Sequence, residues 1–432
     1  MTALSLTPNE AAALIRPSDT VGFGLGPANP NGVLKALSLR SDWENLVVGG
    51  ALMLGLFELF NHKNVHYRCG FFGPAERIQR ASGADIQHVP AGFRQFAPIL
   101  RRFAPRVMMA QAAPADYRGF VNLSLHHGAT ADELRRAGSD PNRVLIIETS
   151  EHLPRTRALD GYPNEIHVDE IDVLVAANEL PVELPLALST SEDEAIAAVA
   201  AGFISDHATL QTGIGAVPSI VAAGLAKRPL GSFGVHSEMF TDGLWRLHAS
   251  GKVRNQSKGI FDGVSVTTFA LGSREMYNWL DGNEEVAFGP VHVVNDPTII
   301  GENRNFVSIN GAISVDLYGQ VVADTIDGRQ ISGVGGHEDF VAGAELSLDA
   351  VSLITMASTA TVRGEMLSRI VAALPSGAVV STPRHHTAVV VTEFGAADLR
   401  DKTVTERARA LAAVAHPNFR DQLLAAAETL GR

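Results

Sequence analysis

Residues 208–228 read ATLQTGIGAVPSIVAAGLAKR. The opening ATLQT is strand-like. Gly213 and Gly215 then break the chain into a tight turn, and Pro218 sits where a helix begins. A strand, a glycine turn and a helix in succession form half of a βαβ unit. The same grammar runs outward in both directions. Upstream, TVGFGLG (20–26) leads through Pro30 into NGVLKAL (31–37), and PAERIQRASG and FRQFAPILRRF carry helical spacing. ENLVVGG, NVHYRCG, RVMMAQAAP, GFVNLSL, RVLIIETS and EIDVLVAANE are further apolar or β-branched runs. Downstream, VSVTTFALG and GPVHVVND (289–296) read as strands and SREMYNWLDG as a helix. FVSINGAISVDLYGQVVADTI reads as a hairpin with Tyr318-Gly319 near its turn, and AVVSTPRHHTAVVVTEFG (378–395) as a strand pair. TVTERARALAAVAH and NFRDQLLAAAETLG close the chain as amphipathic helices. Alternation of this kind predicts an α/β protein with mainly parallel sheets.

At 432 residues the chain exceeds a single ordinary core, so two domains are expected. The stretch 180–195, LPVELPLALSTSEDEA, begins as a linker. TSEDEAIAAVAAGFI then opens the second domain as a capped helix. The expected domains are therefore 1–182 and 183–432. Hydrophobic residues make up 46% and charged residues 19%, the balance of a packed globular enzyme. A net charge of −12 argues against nucleic acid as a partner, because phosphate binding needs a basic face. The one cysteine, Cys69, has no partner for an internal disulfide and reads as a small buried hydrophobe in a reducing, cytoplasmic setting. Thr7, Pro8 and Glu10 form a capping box, so the first residues are expected to be the fold's first helix and not a signal peptide. No apolar run reaches the length of a membrane span.

Four segments can carry chemistry. The Gly213–Gly215 turn and the helix after it offer backbone N–H groups to an anion, although tight strand–helix turns also use glycine for steric reasons alone. In FGVHSEMFTDG (233–243), Glu238 falls where a strand hands over to what reads as a helix beginning at Met239 and Phe240. A carboxylate there can cap a helix, hold an ion pair, bind a metal or attack a substrate. In SGVGGHEDFVAGA (332–344), Gly333, Gly335 and Gly336 form a loop suited to an oxyanion or thioester oxygen. His337, Glu338 and Asp339 follow, but three consecutive side chains rarely converge on one centre. The pairs His126-His127 and His385-His386 share that weakness, so no metal is expected. Residues 389–420 read as solvated helix faces with i, i+4 charge pairs.

Taken together and in order, these segments resemble the acetyl-CoA hydrolase/transferase family. The resemblance runs through FVNLSLHHG (120–128), LPRT (153–156), ATLQTGIGAVP, GVHSEMFTDG, VNDP (294–297), INGAISVDLYGQV (309–321), GRQISGVGGHEDF, VVVTEFG (389–395) and RARALAAVAHPNFR (407–420). It implies two open, mainly parallel-sheet α/β domains of the CoA-transferase type, in a homodimer or higher homo-oligomer, with the active site between the domains. It implies that Glu238 is the catalytic glutamate, becoming a glutamyl-CoA thioester in turnover. CoA contacts carry onto Gly213, Ile214, Gly215, Ala216 and Val217, and onto Ile313, Gly335 and Gly336. Coenzyme A and acyl-CoA are then substrates, with no permanently bound cofactor, and the acceptor is a short-chain carboxylic acid. His337 and Glu338 depart from the glutamine and valine common in that family, which bears on acyl specificity. Lys252, Arg254 and Lys258 are a local basic group, assigned to the CoA phosphates or else to an ordinary solvated loop. Net acyl-CoA hydrolysis by the same glutamate is the near alternative. A non-catalytic sensor and a sugar-phosphate isomerase on a related scaffold are the distant ones.

Overall fold

The computed structural model describes residues 3–185 and 188–430. Residues 186 and 187 of the expected linker lie outside that set. Contacts divide the chain into two compact units, Met1–Leu184 with Val266–Val294, and Pro185–Ser265 with Asn295–Arg432. The segment 266–294 therefore packs with the N-terminal unit, whereas the sequence reading runs the second domain unbroken from 183. A local pattern carries no signal for such a return, because strand and helix periodicity are the same on either side of it.

The first unit is built on an eight-stranded sheet. Its order is Leu4–Leu6, Val173–Ala176, Val144–Thr149, Val107–Ala112, Ser18–Phe23, Asn45–Gly50, Val65–Cys69, Ile86–His88, and every neighbouring pair is parallel. The chain leaves Ser18–Phe23 toward one edge and returns to Val107–Ala112 to build the other, a doubly wound topology. Val107–Ala112 shows why its sequence is uniformly apolar. Val107 and Met109 join the core on one face, and Met108, Ala110 and Ala112 join the core on the other. A parallel strand covered on both sides reads as a continuous hydrophobic run.

The second unit holds a six-stranded sheet in the order Gly234–Val235, Thr209–Thr212, Phe306–Gly311, Val351–Thr355, Val389–Thr392, Gly395–Asp398. The first five are parallel and the last turns back antiparallel. The helices Val404–Ala413 and Pro417–Ala427 contribute Leu411, Ala412 and Leu423 to a core with Ile354 and Val390. Capping boxes start the helices Pro8–Ala13, Ser191–Ala201 and Val404–Ala413, at Thr7, Thr190 and Thr403. No helix among the described residues is long and apolar enough to cross a membrane.

Three local expectations change. GPVHVVND is not a strand: Val291–Val294 is a short helix, with Val286–Phe288 the strand just upstream. Val291, Val293 and Val294 are buried with His292 exposed between them, and so short a run fits either state. Of AVVSTPRHHTAVVVTEFG only Val389–Thr392 is a strand, and its partner is Gly395–Asp398. The earlier part contributes a single bridge, Thr382 to Val321, because Pro383 has no N–H for a ladder. Met239–Phe240 is a two-residue strand with both side chains buried, and the helix begins only at Asp242. The hairpin does form around Tyr318-Gly319, between Ser314–Asp316 and Val321–Val322, whereas Phe306–Gly311 enters the parallel sheet.

Candidate active site

In the second unit, three adjacent parallel strands end on the same side. Gly213 is the first residue past Thr209–Thr212, Glu238 lies three residues past Gly234–Val235, and Ile313 lies two residues past Phe306–Gly311. The carboxyl ends of parallel strands are where open α/β sheets gather ligands. The sequence-predicted residues are thereby brought to one edge by topology alone.

Local bonds fix the segment bearing Glu238. Asn255 Oδ1 accepts from the Val235 N–H at 2.9 Å, and Lys258 Nζ donates to the Val235 carbonyl at 3.0 Å and to that of Val264 at 2.7 Å. Lys258 is fully buried, and this burial pulls its ammonium down to about 7. It is therefore a strut under the strand, neither part of a solvated loop nor placed for the CoA phosphates. Lys252 reaches the Pro229 carbonyl at 3.1 Å. Ser237, also fully buried, accepts from the Thr212 N–H at 3.4 Å and donates to the Met239 carbonyl at 2.9 Å. The Glu238 segment is thus tied to the strand that ends in the glycine turn. His236 points away from the edge, its ring among Phe261, Phe306 and Phe340, with Asn303 Nδ2 2.9 Å from its Nδ1.

Glu238 is half-buried as a residue, and its carboxyl group is densely surrounded. Burial raises its carboxyl to about 8. The Asn295 hydrogen bond opposes that rise, and the nearby charge of Asp339 adds to it. Asn295 Nδ2 donates to Glu238 Oε2 at 2.6 Å and to Asp339 Oδ2 at 3.3 Å. The backbone of Gly336 closes against the same oxygen: a Cβ there would stand 2.0 Å from Glu238 Oε2 and 2.4 Å from Asn295 Nδ2. Gly336 is also the residue from which the helix His337–Glu345 starts, and Gly335 before it has φ +57°, the left-handed region. The glycine loop and the carboxylate, 98 positions apart in sequence (336 − 238), are thus in van der Waals contact.

The other assigned residues take these places. Gly215 has φ +134° and precedes the helix Ala216–Ala226, so Ala216 and Val217 are its first turn. Gly213 differs from Gly215: a Cβ there would meet the Ile309 carbonyl at 3.7 Å, an ordinary contact, so packing alone does not demand glycine. Ile214 between them is 59% exposed. Ile313 donates its N–H to Val322 and accepts at its carbonyl from Arg369, leaving only its side chain for a ligand.

His337, Glu338 and Asp339 point to different partners. His337 Nε2 lies 2.9 Å from Thr382 Oγ1, Thr382 also donates to Glu338, Glu338 bonds His386, and Asp339 faces Asn295. In the first unit, His126 pairs with Thr130 and His127 with the Pro163 carbonyl. Burial holds their rings down to about 4 and about 3, so both are neutral packing groups. Cys69 is buried, and its thiol is pushed well above the usual range by burial first and by Glu76 second.

Sequence reasoning gave no role to Asn295 or Asp339. The signal for Asn295 was a polar residue closing a valine run, VVNDP. A second such signal lay in the strands themselves. Gln211, Ser308 and Asn310 interrupt buried parallel strands and bond one another, Ser308 Oγ to Gln211 Oε1 at 2.6 Å and Asn310 Nδ2 to Ser308 Oγ at 2.7 Å.

The profile of the acetyl-CoA hydrolase/transferase C-terminal domain matches residues 272–427. A 4-hydroxybutyrate coenzyme A transferase of Clostridium kluyveri is 37% identical over 425 residues, 97% of this chain and 96% of that protein. A butyryl-CoA:acetate CoA-transferase of Anaerostipes caccae is 32% identical over 441 aligned positions, 98% of this chain and 95% of that protein. Among solved structures, RipA from Yersinia pestis superposes with a TM-score of 0.89 at 32% identity, covering 99% of this chain and 97% of that one. With two full-length relatives above 30% identity and the domain profile on its C-terminal part, the chain belongs to the acetyl-CoA hydrolase/transferase family.

Proposed function

We propose that this CoA-transferase moves CoA from an acyl-CoA to a free short-chain carboxylic acid, with Glu238 as the nucleophile. The names of its relatives, which exchange CoA among butyrate, acetate and 4-hydroxybutyrate, support that substrate class. The observation that carries the reading is the contact of the half-buried Glu238 with the Gly336 backbone, at the strand edge where the Gly213–Val217 turn also lies.

In this reading Glu238 attacks the thioester carbonyl carbon, the C–S bond breaks, and CoA thiolate leaves an acyl-glutamyl anhydride. Thiolate attack on the glutamyl carbonyl then gives the glutamyl-CoA thioester and the free acid. A second acid runs both steps in reverse. One thioester forms as another breaks, so exchange is nearly isoenergetic. A carboxylate is a poor nucleophile in water, and here proximity and partial loss of hydration raise its reactivity. Backbone N–H groups of the loop from Gly333 to Gly336 serve the developing oxyanion. The Gly213–Val217 turn takes the cofactor's backbone, where the unexplained glycine at 213 admits close approach. The side chain of Ile313 and the backbone of Gly335 and Gly336 complete the CoA contacts. The enzyme works as a homo-oligomer in a reducing, cytoplasmic setting, in keeping with the buried thiol of Cys69.

A panel of acyl-CoAs crossed with free acids, read by mass spectrometry, tests this. Transfer to acetate, butyrate or a related acid that exceeds CoA release without acceptor is the expected result. CoA release indifferent to any acceptor would establish hydrolysis instead. No response to any acyl-CoA would discard both.

A further inference from the structure

The glycine loop that meets Glu238 is placed by the helix it opens. One face of His337–Glu345 buries Phe340, Val341 and Ala344. Gly343 lets the helix close on Ile300, where a Cβ would stand 2.5 Å from Ile300 Cγ2. On another face Glu338 and Glu345 lie seven positions, and so about two turns, apart. Both reach the ring of His386. Glu338 Oε1 bonds Nδ1, and Glu345 Oε2 lies 3.6 Å from Nε2.

The second oxygen of Glu338 is engaged as well. Thr382 Oγ1 donates to Oε2 at 2.9 Å. A hydroxyl has one proton to give, so Thr382 must accept from His337 Nε2, 2.9 Å away. One carboxylate thereby gathers His337, Thr382 and His386, and it belongs to the second residue after Gly336. His386 is anchored from behind. Arg407, on the helix Val404–Ala413, donates to the carbonyl of Arg384 and to that of Thr387 at 3.2 Å. Thr387 Oγ1 donates in turn to the Gly319 carbonyl at 2.7 Å. A run of bonds therefore joins a C-terminal helix, through 384–387, to Glu338 and the glycine loop. His337 and Glu338, the two departures from the family pattern, are both spent on this run.

Resting on the reading of Glu238 as nucleophile, we propose that His386 is a positioning residue for the exchange. Through Glu338 it locks the first turn of the helix, and with it the Gly335–Gly336 backbone, against Glu238. The arm to Glu338 carries the effect, because that carboxylate lies beside the loop. The arm to Glu345 grips the far end of the same helix. No bond is made or broken at His386 in turnover.

Two substitutions separate the arms. The amide nitrogen of Asn stands near the place of imidazole Nδ1, and that of Gln near Nε2. His386→Asn thus keeps a donor for Glu338, and His386→Gln keeps one for Glu345. Full-length enzyme is assayed by steady-state transfer between butyryl-CoA and acetate, beside a thermal melt. His386→Ala and His386→Gln should fold and lose about tenfold in kcat, within the roughly 10²-fold that a 1 Å misplacement costs, with the KM for butyryl-CoA unchanged. His386→Asn should restore most of that kcat. Glu338→Val should reproduce the loss of His386→Ala, and the double variant should lose no more than either single, as for two groups acting through one contact. A His386→Asn enzyme as slow as His386→Gln, a folded His386→Ala or Glu338→Val with normal kcat, or a loss confined to KM overturns the proposal while leaving Glu238 as nucleophile. A wild-type enzyme that forms no borohydride-reducible adduct with butyryl-CoA overturns that reading as well.

Discussion

Adding one methyl group at Gly336 separates catalysis from folding. A Cβ there would sit 2.0 Å from Glu238 Oε2, 2.9 Å from its Cδ and 2.4 Å from Asn295 Nδ2. Ordinary non-bonded contact begins near 3.5 Å, so the carboxylate must retreat by roughly 1.5 Å. A misplacement of about 1 Å in a reacting group costs on the order of 10²-fold, or about 2.7 kcal/mol of barrier. The backbone itself accepts alanine, since Gly336 has φ −92° and ψ 6°. Loss of a glycine at a helix N-cap costs about 1 kcal/mol or less. Gly336→Ala should therefore remain folded, melt within a few degrees of the wild type, and lose at least about 10²-fold in kcat/KM. Steady-state transfer between butyryl-CoA and acetate, beside a thermal melt, reads both quantities. A folded Gly336→Ala enzyme with more than a third of normal kcat/KM would refute the claim that this carboxylate reacts from this position.

Three further outcomes follow from the same structure. Glu238→Gln should abolish transfer and gain stability relative to the wild type as pH rises. The native carboxyl holds its proton to about 8 while the unfolded one releases it near 4.5, so this group lowers wild-type stability across that window, a contribution the variant lacks. At about 1.4 kcal/mol per pH unit the ceiling is roughly 5 kcal/mol, and melts at pH 5 and pH 8 measure the gap. Gly224→Ala, in an exposed interior position of the helix Ala216–Ala226 with open space around it, should stabilise the fold by about 0.5–1 kcal/mol in urea titration. Lys258→Ala should cost about 3 kcal/mol, because it empties a filled site and strips the Val235 and Val264 carbonyls of a donor. A change confined to the KM for CoA would instead restore Lys258 to the phosphates.

What could be read in the chain divides along physical lines. The parallel sheets were legible because strands buried on both faces must be apolar throughout, as in Val107–Ala112, and because glycine and proline mark each handover to a helix. Glu238 and the two glycine loops were legible because each is a short pattern whose chemistry does not depend on distant residues. Asn295 and Asp339 were not: they meet Glu238 only in space, and no local spacing encodes that. Lys258 misled for the opposite reason. Beside Lys252 and Arg254 it looks like a solvated basic group, yet it turns inward to donate to the carbonyls of Val235 and Val264. The valines of 291–294 failed as a strand because a four-residue run, Val-His-Val-Val, is too short for its periodicity to separate strand from helix.

The covalent chemistry assigned to Glu238 is tested most directly by trapping. Incubating the enzyme with acyl-CoA alone, reducing with borohydride and mapping peptides should find the reduced side chain at position 238 and nowhere else. An adduct on another residue, or full transfer activity with no adduct at all, would contradict the account.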